Sequence, residues 1–473
     1  MSIVTKVLSH AVANPERIAF YQKEGPTSYG EFADDIRCIV SKLAAVDVKR
    51  DDFIMVVATN DYEFICTYFA IHLLGAVVVS IAPDVDDELR SMIHDTVNPA
   101  LIIESCAAFS LSDNDFGKIV VPSIGSDSPS EIIFTSGTTG EPKGVVLTHS
   151  QIVTATKHII SHVKNNHTDI ELLLMPLSHS FGMARMRSTL YAGGALVLGY
   201  PITRLKNVFK AIEEYKVTGL GLVPSAWKFI TQMSKTAIAK YSDQIKYIEF
   251  GSASLLSEDK KCLTEWFPHT HIVAHYGSTE VSRALYNYLQ SDDHQSVGRL
   301  SRGAQVAIVD DNKVFVSSGK VGEIVLKAPW MFSHYFNYPE LTEDSHVDGY
   351  LRSGDQGYIA GDYLFLTGRI KEIINVGGKK FSPYRIEDLL NKCDFVKESA
   401  CTGHPDDSMG ELVHAFVVLE IGANVEHDKA QVLMHDIVAS KLPVFMRPNR
   451  YTFLKELPKT SIGKIKRLAL NKI

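Results

Sequence analysis

"EIIFTSGTTGEPKG" occupies Glu131 to Gly144. Its first four residues have the apolar texture of a strand. Thr135 to Gly140 then carry only hydroxyl groups or no side chain at all, and Lys143 follows. Glycines let the main chain approach a ligand closely and point consecutive N–H groups at one anion. Hydroxyls add donors, a threonine oxygen can also reach a metal ion, and the lysine adds a point charge for phosphate oxygens. Such a loop suits a polyphosphate. It is not the G-x-x-x-x-G-K-[ST] loop, because the lysine stands between Pro142 and Gly144. Taken alone, the stretch could equally be a surface turn.

Short apolar runs recur outward from this loop: "FIMVVAT", "AVVVSI", "ALIIES" and "KIVVP" before it, "ELLLMPL", "ALVLG", "YIEFGS" and "HIVAHYG" after it. Helical patterns such as "PITRLKNVFKAIEEYKV" and "SEDKKCLTEWFP" separate several of them. That alternation predicts an α/β fold of parallel, doubly wound sheets covered by helices. Ligands in such folds sit beyond the carboxyl ends of strands, where the Thr135–Gly140 loop stands. From about Ala304 the texture changes to alternating, turn-rich β sequence, as in "AQVAIVDDNKVFVSSGKVGEIVLKAP". Two hairpin-like pieces and a charged junction follow, and then a small α+β module. The expected organisation is a large N-terminal domain of doubly wound sheets plus a β region (1–368) and a small α+β C-terminal domain (369–473), with the boundary near Gly368 to Lys371.

Bulk properties narrow the class. A chain of 473 residues is too long for one compact core. The formal charge of −7 and the lack of a long basic run make nucleic acid a poor partner. Cys38, Cys66, Cys106, Cys262, Cys393 and Cys401 lack CxxC spacing, which argues against a disulfide framework or zinc site and for a reducing compartment. The N-terminus lacks the features of a signal peptide. Phe64 to Pro83 contains no Asp, Glu, Lys or Arg and is just long enough to cross a bilayer. Its character changes at Gly75, from a helical pattern to a β-branched run, so a buried helix–turn–strand unit is the better reading. A cytoplasmic protein without a transmembrane segment is expected.

Further motifs follow in a fixed order: "MPLSHSFGM", "FGSASLLSED", "HYGSTE", "SVGRL", "GEIVLKAPWMFSHYFNYPELT", "YLRSGDQGY", "GRIKEIINVGGKKFSPYRIE" and "LPKTSIGKIKR". With "TSGTTGEPKG", this series resembles the AMP-forming adenylating enzymes: acyl-CoA synthetases, aryl-CoA ligases, luciferases and peptide-synthetase adenylation domains. It is most similar to the free-standing acyl- and aryl-CoA ligases. The resemblance spans about Thr135 to Arg467 and implies a two-step reaction. A carboxylate first attacks the α-phosphate of ATP, giving an acyl-adenylate and pyrophosphate. A thiol then attacks the acyl carbon and AMP leaves. Two anions must meet in the first step, so cations and N–H dipoles must offset their charge, and alignment with a metal matters more than a base.

By this resemblance, Thr135, Ser136, Gly137, Thr138, Thr139, Gly140 and Lys143 cradle the β- and γ-phosphates. Glu280 holds Mg²⁺ with Thr139, and Thr279 contacts the α-phosphate. Tyr276 stacks on adenine beside Gly277, with Ser252, Ala253 and Ser254 supplying nearby main chain. Asp355 accepts from the ribose hydroxyls, and Arg369 reaches ribose and phosphate. Lys464 bridges carboxylate and α-phosphate during adenylation only, and Lys371 is the hinge between the two steps. A lone Glu280 or Asp355 would ordinarily be a solvated loop acid, and Lys464 a surface lysine in a basic tail. "GRIKE" runs into "IINVGGKKF" without an insertion, which favours a complete ligase. Two departures touch the C-terminal domain: Arg385 stands where the family usually has Glu, and Asn375 where aryl-CoA ligases often have lysine.

His179 matches a histidine that sits by the reacting carboxylate in CoA ligases. No "DxxxW" segment is present, which disfavours amino acids. The resemblance puts Phe181, Arg185, Gly251 and Arg283 in the acyl pocket. The planar fork of arginine suits a carboxylate, so one reading gives the acid a polar or anionic distal group. The alternative has both arginines turn outward or pair with protein acids. The thiol is that of coenzyme A or of the phosphopantetheine arm of an acyl carrier protein. Gly377, Gly378, Lys379 and Lys380 could meet the phosphates of coenzyme A, but a basic patch also suits an acidic carrier helix. An inactive nucleotide-binding sensor is the reading from a different class.

Overall fold

The computed structural model describes residues 2–109, 124–136, 142–300, 303–420, 422–423, 425–459 and 465–473. The "KIVVP" run lies outside the described residues. The chain divides into two compact units, Met1–Gln305 with Leu326–Leu351, and Val306–Val325 with Arg352–Ile473. The expected boundary at Gly368 to Lys371 falls inside the second unit.

The first unit is α/β with two sheets. In one, Leu101–Ile103, Phe53–Val57, Val77–Ile81 and Pro129–Ser136 lie side by side and parallel; Pro142–Thr148 and then His334–Tyr335 extend it antiparallel. In the other, His271–Ser278, Tyr247–Phe250, Gly219–Leu222, Ile170–Leu172, Ala195–Val197 and Ile18–Gln22 are parallel, flanked by antiparallel strands at both ends.

The apolar run from Phe64 is resolved by its caps. Asp61 accepts from Phe64 N at 2.8 Å and starts the helix Tyr62–Leu74. Gly75, at φ 72°, ends it in the left-handed conformation that glycine tolerates, and the strand Val77–Ile81 follows. That helix is buried on every face, as expected of one inside the protein. Among the described residues no helix is long and apolar enough to cross a membrane.

A second helix, Ser180–Ala192, is buried from Phe181 to Leu190. It carries Arg185 and Arg187, about 200° apart around its axis. Arg187 Nη1 donates to Glu131 Oε1 at 2.6 Å, on the strand that leads into the glycine-rich loop. Arg185 Nε donates to Glu171 Oε1 at 2.7 Å, on a strand of the other sheet. One helix is thus ion-paired to both sheets.

In the second unit, Gln305–Val309, Gly322–Lys327, Tyr350–Ala360 and Tyr363–Arg369 are successive neighbours in a β region. A separate α+β module follows. Its sheet runs Lys379–Phe381, Ile374–Val376, Gly410–Leu419, Val396–Asp406, with Arg450–Phe453 parallel to Gly410–Leu419. Tyr384–Leu390 and His427–Lys441 are its helices, and a core including Ile386, Val417 and Met434 joins them to the sheet.

The helix His149–Val163 carries one buried imidazole, His149, and two half-buried ones, His158 and His162. His158 stacks on Trp330 at 3.9 Å, and His162 on Tyr286 at 4.2 Å. Burial pushes His149 and His162 down to about 4 and His158 to about 3. They are neutral when folded and chargeable when unfolded. Their contribution to stability is therefore intact above the unfolded value of about 6.5 and is lost as pH falls toward those lowered values. The expected result is a melting temperature that drops between neutral pH and about pH 5, with these three side chains taking up about three protons on unfolding. His158→Gln should remove about one of those protons; an unchanged pH dependence would contradict the assignment.

Candidate active site

The strands Pro129–Ser136 and Pro142–Thr148 pair across the glycine-rich loop, with Thr135 opposite Lys143 and Ser136 opposite Pro142. Thr135 Oγ1 donates to Lys143 O at 3.5 Å. Gly137, Thr138, Thr139, Gly140 and the side chain of Ser136 lie outside the described residues. Lys143 Nζ lies 5.6 Å from the centre of the Tyr335 ring. Tyr335 is held by its strand, which pairs with Val145 and Val146, and by Phe336 N donating to Gly144 O at 2.8 Å. Its hydroxyl donates to Glu280 Oε1 at 2.9 Å. Burial, and then the Glu280 carboxylate, push the Tyr335 phenol far up, so it remains a donor.

Glu280 occupies the turn between His271–Ser278 and Ser282–Tyr288, and its carbonyl accepts from Phe332 N at 2.6 Å. Thr279, its neighbour, lies 3.4 Å from Ser180 through the two hydroxyl oxygens. Ser180 opens the doubly paired helix, with His179 at the N-cap. Asn60 secures the preceding loop, donating to Met175 O at 2.9 Å and accepting from Leu177 N at 2.8 Å. Lys143, Glu280, Thr279 and His179 are therefore joined through Tyr335 and Ser180. Neither Tyr335 nor Asn60 was singled out from sequence, although "WMFSHYFNYPELT" contains the tyrosine.

Ser252, Ala253 and Ser254 follow the strand Tyr247–Phe250, which pairs in parallel with the strand carrying Tyr276 and Gly277. Ser252 has φ 70°, an uncommon conformation outside glycine and one found at ligand-holding turns. A Cβ on Gly251 would lie 2.0 Å from the His275 ring, so only glycine fits. Phe181 is 4.9 Å from that ring, and the Arg283 guanidinium lies 5.1 Å over Phe181. Phe181, Gly251 and Arg283 thus converge around His275.

Arg185 requires a correction. It is 0% exposed, and its fork is taken up by protein acids, Glu171 through Nε and Nη2 and Glu249 through Nη1 at 2.9 Å. It is not available to a distal carboxylate. Glu249 also receives Arg283 Nε at 3.0 Å and lies 2.8 Å from His275 Nδ1. Burial alone would raise the Glu249 carboxyl; Arg283, Arg185 and His275 outweigh it and hold the group well below the carboxylate range. Burial and then Arg283 lower His275. Arg283 Nη2 is buried without a hydrogen-bond partner among the described residues. The signals for this network were Glu171 and Glu249, acids within apolar strand sequence.

In the second unit, Asp355 and Arg369 are opposite one another on adjacent strands, and Arg369 Nε donates to Asp355 Oδ1 at 3.1 Å. Lys371 lies in the short turn Ile370–Glu372. Gly377 and Gly378, at φ 56° and 80°, make the tight turn of the hairpin Ile374–Phe381. Lys379 Nζ lies 4.6 Å from the Phe445 ring centre, and Lys380 pairs loosely with Asp311 at 3.7 Å. Lys464 lies outside the described residues.

Lys143, just after the glycine-rich sequence, and the Glu280 carboxylate stand on either side of Tyr335, charges that suit a nucleotide phosphate and its metal ion. The chain matches the AMP-binding enzyme family over residues 8–336 and the AMP-binding enzyme C-terminal domain over 385–464. It belongs to the AMP-binding enzyme family. It is 31% identical over 363 residues to 4-coumarate–CoA ligase-like 9 of Arabidopsis thaliana; that match takes in 74% of this chain but only 63% of the relative. It is 27% identical to indoleacetate–CoA ligase of Aromatoleum aromaticum, over 97% of this chain and 95% of that one. Its fold is that of ATP-bound MatB from Rhodopseudomonas palustris, with a TM-score of 0.89 at 22% identity over 100% and 99% of the two chains.

Arg185→Met should cost about 3–5 kcal/mol in a denaturant titration, because it leaves Glu171 and Glu249 buried with too little positive charge. A loss below about 1 kcal/mol would mean the fork is not neutralising them.

Proposed function

We propose that this chain activates a carboxylic acid with ATP and transfers the acyl group to the thiol of coenzyme A. The reading rests above all on the convergence of Lys143, Tyr335, Glu280 and Thr279 beside His179. A carboxylate oxygen of the acid attacks the α-phosphorus, the bond to the bridging oxygen of the β-phosphate breaks, and pyrophosphate leaves. The thiolate sulfur then attacks the acyl carbon, and the acyl C–O bond breaks to release AMP.

Within this reading Lys143 and the loop N–H groups bind the β- and γ-phosphates, and Thr279 orients the α-phosphate. Lys464 offsets the charge of the incoming carboxylate, and Asp355 and Arg369 take the ribose. Tyr335 spends its hydrogen bond on one oxygen of Glu280, which leaves the other oxygen for a hard cation. Among the described residues no three His, Cys, Asp or Glu cluster as a metal cage. A single carboxylate sharing Mg²⁺ with nucleotide phosphates is the usual arrangement for that ion. The ion, when bound, neutralises the departing pyrophosphate.

The acid is proposed to be apolar or aromatic. Phe181 and His275 offer ring surface, and Arg185 is already neutralised. The names of the 4-coumarate and indoleacetate ligases point the same way. The unpartnered Nη2 of Arg283 suits one neutral acceptor rather than a second carboxylate.

Pyrophosphate release across aromatic, aliphatic and dicarboxylic acids tests this, with coenzyme A and a phosphopantetheine-bearing carrier protein in parallel. Release with aryl or apolar acids, completed by coenzyme A, is expected. No release with any acid would leave only a nucleotide-binding sensor, and completion by the carrier protein alone would reassign the thiol. Tyr335→Phe should lower kcat about tenfold or more, since a hydrogen bond to a charged group is worth about 1.5–3 kcal/mol. An unchanged rate would remove Tyr335 from the site.

A further inference from the structure

The stretches on either side of Lys464 are fastened within the second unit by backbone bonds, by apolar burial and by one buried arginine. Lys459 and Ile465 form an antiparallel bridge, and Lys466 N donates to Pro458 O at 2.8 Å. Leu457 and Leu470 bury against Ala400, Phe416 and Val418. Three residues after Lys464, Arg467 turns inward, with its side chain 9% exposed. Nε donates to Glu372 Oε2 at 2.9 Å. Nη1 and Nη2 grip Glu387 in a fork, at 2.6 and 2.9 Å, and Nη1 also donates to Cys401 O at 3.1 Å. Cys401 N closes the ring by donating to Glu387 Oε1 at 2.6 Å. Tyr384 covers the guanidinium at 5.0 Å and donates to the same Glu372 oxygen at 3.1 Å.

Glu372 is the residue directly after the expected hinge, Lys371. Glu387 anchors the helix Tyr384–Leu390 to the sheet. One guanidinium therefore connects the hinge turn, the first helix of the module and the segment bearing the catalytic lysine. Neither acid is displaced by the Arg385 departure, whose side chain makes no part of this set.

We propose that Arg467 is a positioning residue that couples the hinge turn to the Lys464 segment, so that a change of backbone angle at Lys371 carries Lys464 with it. The proposal rests on the ligase reading for the role of Lys464. A planar, permanently charged fork suits the task, because it holds two carboxylates in fixed geometry whereas lysine is a point charge. The coupling matters for adenylation, where Lys464 acts, and not for thioester formation.

The two half-reactions separate these roles in the full chain. Arg467→Gln and Glu372→Gln should lower acid-dependent ATP–pyrophosphate exchange about tenfold in rate, with the KM for ATP little changed. Thioester formation from a supplied acyl-adenylate and coenzyme A should remain within about twofold of the parent. Arg467→Lys should fall between. Hydrogen–deuterium exchange without substrate should quicken in Arg467→Gln at residues 370–373 and 465–473 together. An equal fall in both half-reactions, or no fall in either, would overturn the proposal. So would faster exchange confined to 465–473. Should the parent chain release no pyrophosphate with any acid, the ligase reading fails, and the exchange measurement still decides whether the two segments are coupled.

Discussion

The first unit is organised around charges that have no access to water. The helix Ser180–Ala192 is buried along most of its length yet presents guanidinium groups to both sheets. Burying an ion costs several kcal/mol unless it is closely paired. Arg187 meets that requirement with Glu131, and Arg185 and Arg283 meet it with Glu171 and Glu249. Three guanidiniums thus face three carboxylates; the pairings of Arg185 and Arg187 fix where the helix lies against its strands, and Arg283, on the strand Ser282–Tyr288, ties that strand to Glu249. An apolar helix in the same place could slide or rotate at small cost; this one loses a directional ion pair if it does.

That constraint reaches the chemistry because the helix begins at the site. Its first residues bring His179 and Ser180 next to Thr279, while Asn60 secures the preceding loop from the other side. Glu131, at the far end of the Arg187 pair, is on the strand that runs into the glycine-rich sequence. Lys143 and Glu280 come from separate turns, and Tyr335 stands between them. The site residues are therefore referenced to buried, charge-locked elements, which gives Lys143 and the Glu280 carboxylate a reproducible geometry on either side of Tyr335.

Much of this was legible in the sequence. The apolar run from Phe64 declared its own end through Gly75, and the strands "FIMVVAT", "AVVVSI" and "YIEFGS" were plain because β-branched and aromatic residues recur in short runs. Gly219–Leu222 was not, because two of its four residues are glycine and no alternation marks it. The reason is sterical: a Cβ on Gly219 would lie 2.1 Å from the Tyr247 ring of the neighbouring strand. The two readings of Arg185 could not be separated in the sequence for a related reason. The family resemblance places it near the pocket, but its partners come from strands 14 and 64 residues away, and such pairing leaves no local pattern. Tyr335 was hidden similarly, its contact with Glu280 spanning 55 residues.

On the proposed assignment of Arg283 to the acid pocket, the buried network also limits how this protein could change its substrate by mutation. Arg283 touches Phe181 on one side and Glu249 on the other, and Glu249 is shared with Arg185 and His275. A substitution at Arg283 therefore alters the charge balance of the whole group, and its effect depends on what stands at the other positions. Stepwise drift in acid preference through this residue would pass through intermediates carrying an uncompensated buried charge. Replacements that keep the sum at zero, made together, are the accessible route, so specificity here would be inherited as a block of residues rather than one position at a time.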